Sequence, residues 1–289
     1  MKKKSVSIVG TGNIGSDLLV KFSRNEKFKI HSFVGQRENS KGIEFCREKY
    51  PKITTSTKSI DFISENKEDI DIVVDCTNAI QHIKFNKLYE HCNFKVIDMT
   101  PSKIGILTVP KLLSQKKLNV HKNFNLISCG GQTSIPVAHT ISENVKEISY
   151  LEVVSSISSK SAGPATRKNL DQYIETTELG LSAYTGISKE KIKVILIVNP
   201  AIPEIDMQTS IYFKTDHQVD INILSKKIQN VISGVNEYVP GYRLVVPLTH
   251  VGDKYVLSIK VSGCGDYLPS YAGNLDIINC ACIDLAEKI

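Results

Sequence analysis

The run Gly10-Thr11-Gly12-Asn13-Ile14-Gly15 narrows the fold more than any other feature of this chain. It follows an apolar stretch, Val6–Gly10, that reads as a buried strand, and it opens a segment, Ile14–Arg24, with helical patterning. G-x-G-x-x-G at a strand-to-helix turn is the phosphate-binding element of a βαβ unit. The first glycine permits the tight turn, the second lets backbone N–H groups approach a pyrophosphate, and the third lets helix and strand pack closely. Thr11, Gly12, Asn13 and Ile14 are therefore candidate dinucleotide-binding residues. A tight turn that binds nothing is the plain alternative.

The pattern repeats along the first half. Lys29–Gly35, Ile70–Asp75 and Val96–Asp98 read as further buried parallel strands, and Gly42–Tyr50, Ile60–Asn66 and Ile80–Cys92 can carry the intervening helices. Repeated βα units predict a doubly wound Rossmann sheet with right-handed crossovers. Beyond about residue 147 the texture changes. Tyr150–Ser158, Lys191–Asn199, Gln208–Thr215 and Lys254–Ser262 read as strands, with helices at Thr166–Ala183 and Ile221–Tyr238. Few βα repeats there suggest a separate α+β domain. The last segment, Ala272–Lys288, has an apolar helical face. The expected division is 1–128 plus 272–289 for dinucleotide binding and 129–271 for catalysis and oligomerisation, with the last helix returning to the Rossmann domain.

Composition bounds the function classes. In 289 residues, 36 Lys+Arg against 30 Asp+Glu leave a net charge of +6, spread without a basic block beyond Lys2–Lys4, which disfavours a nucleic-acid binder. Apolar runs such as Ile70–Val74 are strand-sized, far short of a membrane span. The N-terminus passes from three lysines straight into a strand, unlike a signal peptide. Seven cysteines fit a reducing compartment, and the expected location is cytoplasmic.

The choice of nicotinamide cofactor is tested at the end of the second strand, where an acid commonly holds the ribose 2′-hydroxyl of NAD. Here the sequence is Val34-Gly35-Gln36-Arg37-Glu38. Arg37 can pair with a 2′-phosphate, which keeps NADP beside NAD as a cofactor, and it serves equally well as a solvated loop residue.

One cysteine stands in a chemical context. Asn125–Ser128 reads as a strand, Cys129-Gly130-Gly131-Gln132 as a glycine turn, and Ile135–Ala138 as the first turn of a helix. A thiol there faces the positive end of a helix dipole, which predicts a pKa of about 7 to 8, and the amides around two glycines can form an oxyanion hole. A small buried cysteine at a turn is the alternative. The other six lie in strands, helices or an irregular turn; Cys280-x-Cys282 on a helix points its thiols apart, so no metal site is expected. A thiol beside a nicotinamide suggests aldehyde oxidation: the thiolate adds, hydride leaves, and a thioester remains.

Ile127–Pro136 (ISCGGQTSIP), Ser155–Arg167 (SSISSKSAGPATR), Tyr238–Leu244 (YVPGYRL) and Tyr267–Ile277 (YLPSYAGNLDI) resemble the acylating acetaldehyde dehydrogenases, the enzymes that partner 4-hydroxy-2-oxovalerate aldolase in aromatic hydrocarbon catabolism. The resemblance runs along nearly the whole chain. It implies a second domain of the glyceraldehyde-3-phosphate-dehydrogenase kind, a homodimer, and the reaction of acetaldehyde, CoA and NAD to acetyl-CoA and NADH, with the acyl group on Cys129. It places Ser161, Ala162, Gly163, Pro164, Ala165, Thr166, Arg167, Lys168, Asn169 and Asn274 at the nicotinamide cofactor. Read by themselves, these residues also suit helix capping, with Asn274 an N-cap; Lys160 and Arg167 are cations that suit CoA phosphates or a solvated surface.

Three departures stand out. The family has an acid shortly after its Asn-Pro-Ala segment that is thought to help deprotonate the cysteine, and here that position is Thr209, which cannot act as a base at neutral pH, with Glu204 and Asp206 nearby but unaligned. Either Asp206 takes the role, or the helix dipole and loop amides suffice, or the chemistry is slow. The stretch between Leu244 and Tyr267 is shorter than in the family, which bears on the CoA contacts and the aldolase interface. Ala165 replaces a usual glycine. Two alternatives remain: a phosphorylating semialdehyde dehydrogenase, which wants a catalytic histidine that none of the seven histidines recognisably supplies, or a dehydrogenase-like nucleotide-binding protein with weak or lost catalysis.

Overall fold

The computed structural model describes residues 2–163, 167 and 170–289. They form two compact units. The first comprises Met1–Leu126, Asp266–Leu268 and Cys282–Ile289; the second comprises Ile127–Gly265 and Pro269–Ala281.

The first unit is built on seven strands: β1 (Lys4–Val9), β2 (Phe28–Val34), β3 (Thr54–Ser56), β4 (Ile72–Asp75), β5 (Lys95–Asp98), β6 (Ile106–Thr108) and β7 (Asn123–Leu126). Their order is β3-β2-β1-β4-β5-β7-β6 and every pairing is parallel. The chain works outward from β1 to one edge and then returns to the other side, as a doubly wound sheet does. The central strands are apolar and buried, Val6, Ile8, Val73, Val74 and Ile97 among them. Strands covered on both faces read as continuous apolar runs, which is why the sequence located β1, β2, β4 and β5 to within two residues. It overlooked β3 and β6, three residues each and without such a run.

At the C-terminal ends of β4 and β5 this sheet holds a buried ionisable group. His82 sets Nδ1 2.9 Å from Asp75 and Nε2 3.4 Å from Asp98, and all three side chains are buried. The Tyr89 hydroxyl also donates to Asp75, and Asn125 donates to Asp98. Burial alone would lower the His82 pKa, but the hydrogen bond to Asp75 and the charges of Asp98 and Asp75 outweigh it and raise it. Burial pushes the Asp98 carboxyl up to about 6, against the pull of His82.

The second unit contains a five-stranded mixed sheet of β8 (Tyr150–Ser158), β9 (Ile192–Asn199), β10 (Met207–Lys214), β11 (Tyr242–Val251) and β12 (Lys254–Val261), in the order β11-β12-β10-β8-β9. Only β8–β9 is parallel. Strand β11 was missed, because it begins directly after Tyr238-Val239-Pro240-Gly241 and few of its residues are buried. Period-two alternation in β8 buries Leu151, Val153, Ser155 and Ile157; in β10 it buries Met207, Thr209, Ile211 and Phe213. Two of those eight inward positions are polar, Ser155 and Thr209, and they face each other in the ladder. Helix α6 (Cys129–Asn144) packs against β10 and against the helices Leu170–Thr185 and Ile221–Asn236. The buried Tyr242 pins β11 to it by donating to the Thr133 carbonyl at 2.7 Å. The last helix, Gly273–Lys288, belongs to the second unit up to Ala281 and to the first from Cys282. Among the described residues no helix is long and apolar enough to cross a membrane.

Candidate active site

The glycine turn is shaped by what surrounds each glycine. Gly10 has φ +111°, and a Cβ there would lie 2.7 Å from the Cys76 backbone. A Cβ on Gly15 would lie 1.9 Å from the Gly10 carbonyl oxygen, so Gly15 allows the first helix, Asn13–Arg24, to sit against the strand. A Cβ on Gly12 would meet nothing within 4 Å. Gly12 is also the N-cap of that helix, which has no side-chain cap and no acidic residue in its first turn. The helix thus presents an uncapped positive end to open space, and it fits a pyrophosphate. Gly12 and Asn13 are exposed, Thr11 and Ile14 half-buried, and the Thr11 hydroxyl lies 2.7 Å from that of Ser40. Arg37 is exposed beyond β2, and the neighbouring Glu38 pairs with Arg47 at 2.6 Å.

Cys129 is the first residue of α6; the helix starts six residues earlier than the sequence suggested. Ser128 caps it, accepting from the Gly131 amide at 3.1 Å, while the Gln132 amide bonds the Ser128 carbonyl. These two amides are therefore taken, and those of Cys129 and Gly130 are the ones that act on the sulfur. A Cβ on Gly131 would strike Ile127 at 2.2 Å, and one on Gly130 would strike the Tyr173 hydroxyl at 2.0 Å. The two glycines are required by close packing around the thiol.

Tyr173, from the helix Leu170–Thr185, brings a hydroxyl into this pocket. Its oxygen is buried without a well-formed hydrogen bond, and it interacts with the Cys129 thiol, the Ser155 hydroxyl and the Gly130 amide. Ser155 in turn lies 2.9 Å from the Thr209 hydroxyl. Cys129 is half-buried as a residue, but removal of its sulfur from water is the dominant influence on the thiol and pushes it up to about 11; Tyr173 and the amides of Gly130 and Cys129 pull the other way. The expectation of about 7 to 8 fails for that reason: the helix end favours the thiolate by less than its removal from water disfavours it.

Thr209 is buried against Ser155, whereas Asp206 has its carboxylate engaged by Ser262 at 2.9 Å, Lys260 at 3.4 Å and Arg243 at 3.7 Å. His139 sets Nδ1 2.7 Å from the Tyr184 carbonyl.

Of the remaining predicted residues, Ser161 is buried and donates to the Ser158 carbonyl, Ala162 is buried, and a Cβ on Gly163 would meet nothing within 4 Å. Arg167 folds back on its own loop, donating to the Ala162 carbonyl at 3.0 Å and to the carbonyl and hydroxyl of Ser159 at 2.8 Å each. Lys160 pairs with Glu204. Both cations are thus engaged within the fold. Pro164, Ala165, Thr166, Lys168 and Asn169 lie outside the described residues. Asn274 is the second residue of the last helix rather than its N-cap, and its Oδ1 is buried without a partner. Such an acceptor suits an incoming N–H donor. Tyr173 was missed by sequence reasoning, and no local pattern marks it; Ser155 was also missed as a site residue, although period-two alternation in its strand places it on the buried face, and Thr209 was singled out only as the position of the family's acid.

Residues 129–269 match the family described as prokaryotic acetaldehyde dehydrogenase, dimerisation, and residues 5–104 match the semialdehyde dehydrogenase NAD binding domain. The chain is similar to the acetaldehyde dehydrogenase of Pectobacterium atrosepticum, 46% identical over 289 residues, with 100% of this chain and 96% of the relative covered. It is similar to that of Spirochaeta aurantia at 44% over 288 residues, covering 99% and 95%. Among solved structures it resembles aspartate semialdehyde dehydrogenase II of Vibrio cholerae, with a TM-score of 0.63 at 13% identity over 99% of this chain and 98% of that one, a likeness of fold.

Proposed function

The chain belongs to the prokaryotic acetaldehyde dehydrogenases, and on that premise we propose that it oxidises acetaldehyde or a similarly short aldehyde and passes the acyl group through Cys129 to coenzyme A. The observation that carries the reading is the Cys129 thiol at the first position of α6, with the Cys129 and Gly130 amides and the Tyr173 hydroxyl acting on its sulfur.

The chemistry of these groups balances without a carboxylate. As the sulfur adds to the carbonyl carbon, the thiol proton goes to the carbonyl oxygen. Loss of hydride from that carbon, with the hydroxyl proton released to water, leaves a thioester on Cys129. The thiolate of CoA then attacks the thioester, and Cys129 departs as thiolate. NAD, when bound, supplies the hydride acceptor. The Cys129 and Gly130 amides stabilise negative charge as it moves between sulfur and oxygen. Thr209, Ser155 and Tyr173 form a chain of neutral hydroxyls. The Tyr173 hydroxyl, without a well-formed hydrogen bond at rest, would tighten onto the sulfur as charge gathers there, with Ser155 and Thr209 donating behind it so that each bond polarises the next toward the thiolate. Ser155 and Thr209 are positioning residues in this scheme.

Dinucleotide binding is assigned to 1–128 plus 272–289, on the glycine turn, and catalysis and dimerisation to 129–271. Asn274, with its orphan acceptor, suits the carboxamide of the nicotinamide ring, and Ser161–Gly163 and Arg167 form the adjoining loop by family resemblance. Arg37 admits NADP. A homodimer is supported by the match to the dimerisation family and by exposed apolar residues of the second unit, Ile197, Val245, Val246 and Val251. The aldolase partner rests on the resemblance alone, and a cytoplasmic location on seven free cysteines.

The test is NADH formation from acetaldehyde with CoA, with phosphate, and with neither. Sustained turnover only with CoA, and at most one equivalent per site without it, is expected. Turnover sustained by phosphate would instead select the phosphorylating reaction, and no turnover in any arm would select a nucleotide-binding protein.

A further inference from the structure

Outside the active site, the second unit assembles a second set of thiols. Asp276 and Cys280 stand one turn apart on the last helix, so their side chains share a face. Cys264, from the loop after β12, comes up to the same face. The Cys264 sulfur is 3.5 Å and the Cys280 sulfur 3.6 Å from one oxygen, Oδ2 of Asp276, and the three donor atoms all lie within 4.8 Å of one another. Asp276 and Cys280 are 2% and 7% exposed, while Cys264 opens to solvent.

The two sulfur–oxygen separations are those a small tetrahedral ion imposes. With metal–sulfur bonds of about 2.3 Å and a metal–oxygen bond of about 2.1 Å at tetrahedral angles, a sulfur and an oxygen ligand stand about 3.6 Å apart. The donor set of two sulfurs and one carboxylate oxygen favours zinc or another thiophilic ion over magnesium or calcium. The exposed side at Cys264 gives an entry path and room for water as fourth ligand. Asp276 is already held by its place on the helix, so little reorganisation accompanies binding.

We propose that Cys264, Asp276 and Cys280 form a zinc-binding site, in which a divalent ion displaces the two thiol protons to solvent and ties the loop after β12 to the first turn of the last helix. Cys129 is not among its ligands.

The experiment titrates the full chain, kept under a phosphine reductant, with zinc alone, and then with cobalt as a spectroscopic probe. A Cys129→Ser background removes the active-site thiol from the count. One equivalent of zinc per chain is expected, and cobalt should show sulfur-to-metal charge transfer with the intense bands of tetrahedral coordination. Cys264→Ala changes an exposed residue and leaves the fold intact; loss of a direct ligand should weaken zinc binding by more than about 100-fold, beyond the usual effect of an outer-shell change. Asp276→Asn should weaken it as well. Zinc uptake that is unchanged in Cys264→Ala, or no stoichiometric uptake in the reduced parent, would overturn the proposal and leave the cluster as two thiols donating hydrogen bonds to a buried carboxylate.

Discussion

Replacing Tyr173 by Phe removes one hydroxyl from the Cys129 pocket and keeps the ring that fills it. That hydroxyl is one of three donors that favour the thiolate, beside the amides of Gly130 and Cys129. A hydrogen bond to a charged group contributes about 1.5–3 kcal/mol, and 1.36 kcal/mol is one pKa unit, so the thiol should move up by about 1 to 2 units. It starts at about 11, so the reactive fraction at pH 8 is already about one in a thousand. Iodoacetamide inactivation of the unliganded enzyme should therefore rise tenfold per pH unit through pH 10, with no plateau near neutrality. The Tyr173→Phe line should run parallel to it, about 10- to 100-fold lower. Ser155→Ala withdraws only the polarisation of Tyr173, so its line should fall between the two. NAD affinity, measured by fluorescence titration, should be unchanged in both. A plateau below pH 8 in the parent, or a Tyr173→Phe line on top of the parent, would refute the account of the site.

Cys129→Ser should abolish acyl transfer while leaving dinucleotide binding nearly intact, and mass spectrometry of the parent mixed with acetaldehyde and NAD but no CoA should find the acyl group on Cys129; an adduct on another cysteine would move the assignment. Arg37→Asp should shift the ratio of kcat/KM values toward NAD over NADP by about tenfold, or roughly 1.4 kcal/mol, and an unchanged ratio would make Arg37 a solvated loop residue. His82→Gln leaves Asp75 and Asp98 without their cation and should cost about 3–5 kcal/mol near pH 6. Because the folded pKa of His82 is raised, its contribution is fully present below its ordinary value near 6.5 and is lost as pH rises through the folded value. Chemical denaturation should thus show a smaller difference from the parent at pH 9 than at pH 6, and an equal difference would mean that His82 is neutral throughout.

What the sequence disclosed, and what it hid, divides along the range of the interactions. The βα units were legible because burial on both faces writes an apolar run, and the glycine turn because its constraints are local: Gly10 against Cys76, Gly15 against Gly10. The inward placing of Ser155 and Thr209 was not read, although strand alternation puts both on the buried face; what makes them a pair is the cross-strand register, which a single strand does not reveal. Tyr173 was not legible. It lies 44 residues from Cys129, on a different helix, and only the close approach to Gly130 shows why that residue has no side chain. The Cys264–Asp276–Cys280 cluster was hidden in the same way, since Cys280 was weighed against its sequence neighbour Cys282 and its partner comes from a separate loop.

The thiol pKa illustrates the same division in energy. A helix N-terminus is visible in sequence and pulls a thiol down; the depth of the pocket is not visible and pushes it up by more. Once the thiol rests protonated, the absence of a carboxylate at Thr209 ceases to be a defect that Asp206 must mend. A carboxylate there would be an acceptor, drawing Ser155 and then Tyr173 to donate away from the sulfur and take its proton. A threonine hydroxyl lets the chain run the other way, as donors toward a thiolate that forms only while the aldehyde oxygen receives the proton. In the proposed scheme that one residue sets the polarity of the whole chain, and Asp206 keeps its ion pairs with Lys260 and Arg243.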